Sequence, residues 1–126
     1  MIFALISKNQ KLLNQIIKEN IVMDYSHAED ICDALIKILF SKKKIKNIIL
    51  SSGKKTYVND IIKYLIKKNK LDLKLNYNNI KKKNCIIGNN TYAKKTLKWK
   101  IKKNIFFAAQ EIYKKNIFFS FVKKKL

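Results

Sequence analysis

Asp24, His27 and Asp30, in "DYSHAED", are the residues whose types and spacing come nearest to acid–base chemistry. Two carboxylates and an imidazole can exchange protons when they face one substrate. His27 is the chain's only histidine, and Asp24, Glu29, Asp30 and Asp33 are four of its eight acids. Their setting points to structure instead. Ser26 stands where a helix N-cap belongs, and Glu29 follows three residues later, the capping-box arrangement. Asp24 then precedes the cap, and Asp30 falls in the first turn, where negative charge complements the helix dipole. His27 reads as a side chain bonded to neighbouring backbone. No catalytic residue is assigned.

The remaining reactive side chains are sparse. Cys32 and Cys85 lack the short spacing of a zinc site and have no second histidine to join them. They read as buried thiols in a reducing, cytoplasmic setting, and no metal site is expected. Lysines cluster at 42–44, 81–83 and 123–125.

The charge has a peculiar make-up. The formal net charge is +21, carried by 29 lysines and no arginine, beside 21 isoleucines and 14 asparagines in 126 residues. A basic excess suggests nucleic acid or an anionic surface. A selected nucleic-acid binder usually carries arginine, whose planar fork pairs bidentately with phosphate and guanine. A drift to lysine, isoleucine and asparagine matches AT-rich coding instead. Such a surface still attracts polyanions, so nucleic acid is expected to bind only non-specifically. No apolar run reaches the ~18–20 residues of a membrane-spanning helix, so no membrane partner is expected. "MIFALISKNQ" lacks the basic flank of a secretion signal.

The elements that must hold these residues follow from apolar spacing. Ile2, Leu5, Ile6, Leu12, Leu13, Ile16 and Ile17 predict an amphipathic helix over 1–19. Ala28, Ile31, Cys32, Leu35, Ile38 and Leu39 form one stripe of a helix ending near Phe40. That stripe is expected to be buried against "NIIL" and the helix beginning at Val58. A solvent-facing stripe would count against both the fold and the resemblance described below. "NIILSSG" reads as a buried strand closed by Gly53. Val58, Ile61, Ile62, Leu65 and Ile66 predict another helix. "LDLKL" alternates as a strand, and "CIIG" as a further short one. "NTYAKKTLKW" and "NIFFAAQEIYKK" read as helices capped by Asn90 or Thr91 and by Asn104. Trp99 is expected to anchor the last two helices. The tail from 116 to 126 is apolar, then basic. The length suits one domain over 1–126.

"DYSHAEDICDAL" resembles the segment R-D-[WY]-[GS]-H-A-x-D-x-[VI]-x-A of the GDP-mannose 4,6-dehydratases, extended short-chain dehydrogenases that remodel nucleotide sugars. Asp24, Tyr25, Ser26, His27, Ala28, Asp30 and Ala34 fall on it. The family then shows A-T-G and S-V-R-E-F-V. Here "LSSGKKTYVNDII" supplies Gly53, Val58, Asp60 and Ile62. The later [LI]-x-G-[DN]-x-[ST]-K-A-x-x-x-L-G-W-K-P is similar to "IIGNNTYAKKTLKWKI", through Gly88, Asn89, Thr91, Ala93, Leu97, Trp99 and Lys100. F-x-E-L-V-x-E-M looks like "IFFAAQEIY". The resemblance covers about residues 20–115.

It implies a helix-dominated α/β fold: part of the substrate-binding lobe, with a few short strands and no complete Rossmann sheet. In the intact family NADP serves the conversion of GDP-mannose to GDP-4-keto-6-deoxymannose. The glycine-rich loop and the Tyr-x-x-x-Lys pair lie in the N-terminal half. This chain has two glycines, neither in such a loop. Tyr64 and Lys68 have the pair's spacing, but follow the SSG turn, after the pair's place in the family. The resemblance therefore implies a truncated lyase-type domain, inactive and without cofactor alone. Its partner would be a separate Rossmann half or a second copy, and apolar faces meant to pack on a Rossmann sheet would be exposed.

The family's diphosphate-binding R-P-x-E-V falls at "KKKNC". Lys81, Lys82, Lys83 and Asn84 are thus the implied substrate contacts, with lysine giving a point charge in place of a fork. Met23, Asn59 and Ile101 replace the family's arginine, arginine and proline. The competing function is a small lysine-rich protein on nucleic acid or anionic surfaces. "YAKKTLKWK" and "IYKKNIFF" interleave aromatics with basics as single-strand stacking requires.

Overall fold

A computed structural model describes residues 1–123, with side chains described as far as Phe118. The described elements are α1 (Ile2–Ile6), α2 (Gln10–Glu19), β1 (Val22–Met23), α3 (Ala28–Leu39), β2 (Thr56–Tyr57), α4 (Val58–Lys68), α5 (Thr91–Leu97) and α6 (Ile105–Lys123). The fold is helix-dominated, and its sheet is the pair β1–β2. The chain divides into two compact units. The first holds Met1–Val22, Tyr57–Asn84 and the chain from Phe106; the second holds Met23–Thr56 and Cys85–Ile105.

In the first unit the helix predicted over 1–19 is broken into α1 and α2. Lys8 takes a left-handed φ of 51°, and the Asn9 side chain caps α2 by accepting the Leu12 N–H at 3.0 Å. The Asn9 cap satisfies the Leu12 amide, which the break at Lys8 leaves without its helical partner. Asn20, left-handed at φ 45°, closes α2. Asn59 donates its Nδ2 to the Ile17 carbonyl (3.0 Å) and to Asn20 Oδ1 (3.1 Å), fixing that turn from α4. Leu5, Leu13, Ile17, Ile62 and Leu65 are fully buried. The predicted α4 stripe therefore holds. On α6, Ala108, Ala109 and Tyr113 are buried, and Gln110 exchanges two hydrogen bonds with Asn69 (2.9 and 2.8 Å). The tail expected from residue 116 begins inside α6, and 124–126, with two lysines of the last run, lie outside the described residues.

"LDLKL" keeps its alternation: Leu71, Leu73 and Leu75 are half-buried while Asp72 and Lys74 are exposed. It is nevertheless not a strand of the sheet. Alternation decides which face turns inward; a ladder also needs an adjacent backbone edge. "NIIL" and "CIIG" differ from expectation in the same way. Ile48 and Leu50 pack on the core and Ile49 is exposed, without ladder pairing. Ile86 is 95% exposed.

The core of the second unit is Ala34, Ala93, Leu97 and Trp99, with Ile31, Ile38, Ile45, Ile48, Leu50 and Ile101 packed against it. Trp99 is buried as expected. It sits with residues of α3 and α5, however, and not between the last two helices. The predicted α3 stripe splits. Ile31 and Ile38 meet the core, whereas Ala28 and Cys32 are exposed and Leu35 and Leu39 are 54% and 77% exposed. The inward line runs through Asp30 and Ala34, one turn apart. A buried carboxylate with specific partners sets the rotation of this helix.

Candidate functional site

Two carboxylates organise the second unit. Asp24 leaves β1 just before α3. Its Oδ1 accepts the Ser52 N–H at 2.8 Å and also the Ser52 hydroxyl. Its Oδ2 accepts the N–H groups of Gly53 and Gly88, each at 3.1 Å. One side chain thus ties together three stretches far apart in sequence. Burial of this carboxyl acts to raise its pKa. The Ser52 hydroxyl and the Gly88, Ser52 and Gly53 amides outweigh that effect and hold it below the usual carboxylate range. A carboxylate so fully engaged as an acceptor is a clasp and not a general base.

The glycines fit this clasp. Gly53 has φ 69°, a conformation that disfavours any side chain. A Cβ on Gly88 would collide with the Ser51 side chain. Ser51 Oγ instead donates to the Gly88 carbonyl at 2.9 Å, and Asn90 Nδ2 donates to the Ser51 carbonyl at 2.8 Å. Asn90 occupies the α5 cap position without capping it. The neighbouring Asn89 side chain accepts the Thr91 N–H at 3.0 Å.

Asp30, almost fully buried, makes the second junction. Its backbone carbonyl accepts the Trp99 indole N–H at 2.7 Å. Its carboxylate accepts the N–H groups of Lys102 (3.1 Å) and Lys103 (2.9 Å). Those lysines reach back to Asp33 (3.6 Å) and Glu29 (3.3 Å). Asp24 and Asp30 therefore serve different segments. The N-cap of α3 is His27, not the expected Ser26. His27 is the last extended residue (φ −75°, ψ 139°), so its Nδ1, one position later than the hydroxyl, accepts the Glu29 N–H at 3.1 Å.

Lys81, Lys82, Lys83 and Asn84 lie together on an exposed stretch of the first unit. Lys81 and Lys83 grip Glu19 at 2.5 and 2.9 Å. The Lys81 N–H donates to the Lys18 carbonyl, and its carbonyl accepts Asn20 Nδ2 at 2.9 Å. The Lys81 and Lys83 ammonium groups pull the Glu19 carboxyl down to about 2. The implied phosphate contacts are thus positioned by the end of α2, with Glu19 as their present counter-ion.

Tyr64 packs its ring on Phe106 at 5.4 Å between centroids, and Lys68 is exposed at the end of α4. Both cysteines are free thiols; Cys32 is exposed and Cys85 half-buried, so neither is in the expected core. Among the described residues no group of three His, Cys, Asp or Glu side chains could hold a metal ion, and no helix is long and apolar enough to cross a membrane. Of the two glycines, Gly53 is held by the Asp24 clasp and Gly88 lies against Ser51. Sequence reasoning missed Ser51, Ser52 and Asn90 as partners. The signal available was the pair of small hydroxyl residues abutting Gly53, since such side chains bond readily to nearby backbone. No family model, curated protein or solved structure matches the chain.

Proposed function

We propose that this chain is the substrate-side part of a GDP-mannose 4,6-dehydratase-like enzyme, contributing part of a sugar-nucleotide pocket and inactive without a Rossmann half. One observation carries the reading. Positions singled out by motif spacing alone are bonded to one another. Asp24 of the first motif takes amides from Gly53 of the second and Gly88 of the third. The backbone carbonyl of Asp30, in the first, accepts the indole N–H of Trp99 of the third.

The exposed part of the α3 stripe, Ala28, Cys32, Leu35 and Leu39, counts against the reading, since the resemblance called for that stripe to be buried. One further feature supports it. Lys81, Lys82 and Lys83 present cations where the resemblance implies a diphosphate. Substrate phosphate would replace the Glu19 carboxylate as the counter-ion of Lys81 and Lys83.

The DNA immediately upstream of the coding sequence tests the reading. The expected finding is a frame encoding a G-x-x-G-x-x-G loop and a Tyr-x-x-x-Lys pair, intact or interrupted. Unrelated sequence there, with no such half elsewhere in the genome, would count against it.

A further inference from the structure

The aromatic–basic run "YAKKTLKWK" divides in two once its side chains are sorted by burial. Leu97 and Trp99 are consumed by the core, whereas Tyr92 is 52% exposed. Tyr92 and Lys95 stand three positions apart on α5 and therefore on one face. They line an open depression of about 460 Å³ with Ile49, Asn89 and Thr91. That volume lies within the range of small-ligand sites, about 300–1,000 Å³.

We propose that this depression binds a nucleotide, its base stacked on the Tyr92 ring and its phosphate on Lys95. The chemistry is complementary part by part. An exposed phenol ring offers a stacking face to any base. Ile49, 55% exposed, supplies an apolar side. Asn89 supplies an amide that can pair with a base edge. Lys95 supplies a cation for the phosphate, and the +21 charge of the chain concentrates polyanions around it.

The site is pre-formed. Its walls are the stretch around Ile49 and the turn leading into α5. They are clasped by the bond from Ser51 Oγ to the Gly88 carbonyl and by that from Asn90 Nδ2 to the Ser51 carbonyl. The backbone of the walls therefore needs little ordering by the ligand, which leaves the Tyr92 and Lys95 side chains as the groups to be fixed on binding. The inference does not rest on the dehydratase-like reading, because Tyr92 stands where that family has lysine.

The test is an NMR titration of the full chain with UMP, with GMP and with a short oligouridylate, at low and raised salt. Tyr92→Ala is expected to weaken binding by roughly 5- to 150-fold, the range for loss of one base–aromatic stack. Tyr92→Phe should retain it. Lys95→Gln should weaken binding and lower the salt slope by about one. Lys74→Gln, an exposed charge in the first unit, should change little. Tyr92-dependent binding of a mononucleotide would identify a small-molecule site; the same dependence with the oligomer alone would identify a strand site, and both uphold the proposal. Equal binding by wild type, Tyr92→Ala and Lys74→Gln, or no binding of any probe, would overturn it.

Discussion

Asp24 is the residue on which the second unit turns. Replacing it by asparagine keeps the shape but puts an amide donor against N–H groups that need an acceptor. Leaving part-buried donors unpaired costs about 1–3 kcal/mol, so Asp24→Asn should lower the thermal midpoint and loosen Ser52, Gly53 and Gly88 together in hydrogen exchange. Unchanged exchange at Gly88 would contradict the clasp. The sign of the pH effect follows from the depressed pKa. The Asp24 contribution is complete above the unfolded value of about 3.9 and is lost as pH falls through the lower folded one. Glu19 behaves alike, with its loss completed near its folded pKa of about 2. Its pair with Lys81 and Lys83 is exposed, so it contributes little to stability and weakens with salt. An NMR titration of the Glu19 side-chain carboxyl carbon should show a midpoint near 2; a midpoint of about 4.3, the ordinary glutamate value, would contradict the double grip.

At the scale of elements, α3 shows what the sequence could and could not reveal. Apolar spacing located the helix, and its length came out nearly right. Its rotation was illegible, because Leu35 and Leu39 continue the stripe of Ile31 and Ile38 while Asp30 looks like a surface acid. The partners that bury Asp30, Trp99 and the amides of Lys102 and Lys103, lie some seventy residues away. The same limit explains the missing strands: "LDLKL" announces its faces but not whether a neighbouring edge exists. The clasp itself was half legible. Asp24, Gly53 and Gly88 were marked by the resemblance, whereas Ser51, Ser52 and Asn90 are common surface types whose partners only the fold reveals. Stability measurements check the corrected rotation. Trp99→Ala should cost roughly 3–5 kcal/mol, as for large core truncations. Leu35→Ala should cost no more than about 0.5 kcal/mol, as at exposed sites. A large loss at Leu35 would restore the original stripe.

At the scale of the molecule, lysine dominates the surface and sets its non-specific behaviour. Without arginine, sequence-blind attraction to polyanions should fall steeply with salt. Electrophoretic mobility shifts of random RNA should vanish at several hundred millimolar salt, where screening lengths shrink from ~10 Å to a few ångströms. A site-selective complex persisting there would favour a dedicated nucleic-acid protein. Leu35, Ile36, Leu39 and Phe40 are exposed, and the proposed function assigns that surface to a Rossmann partner. The most direct test supplies that partner. The purified chain is mixed with the separately expressed Rossmann half of a GDP-mannose 4,6-dehydratase, loaded with NADP, and GDP-4-keto-6-deoxymannose is assayed. The proposed function predicts no product from either piece alone and product from the two together. Product from this chain alone, or neither association nor product from the mixture, would contradict it.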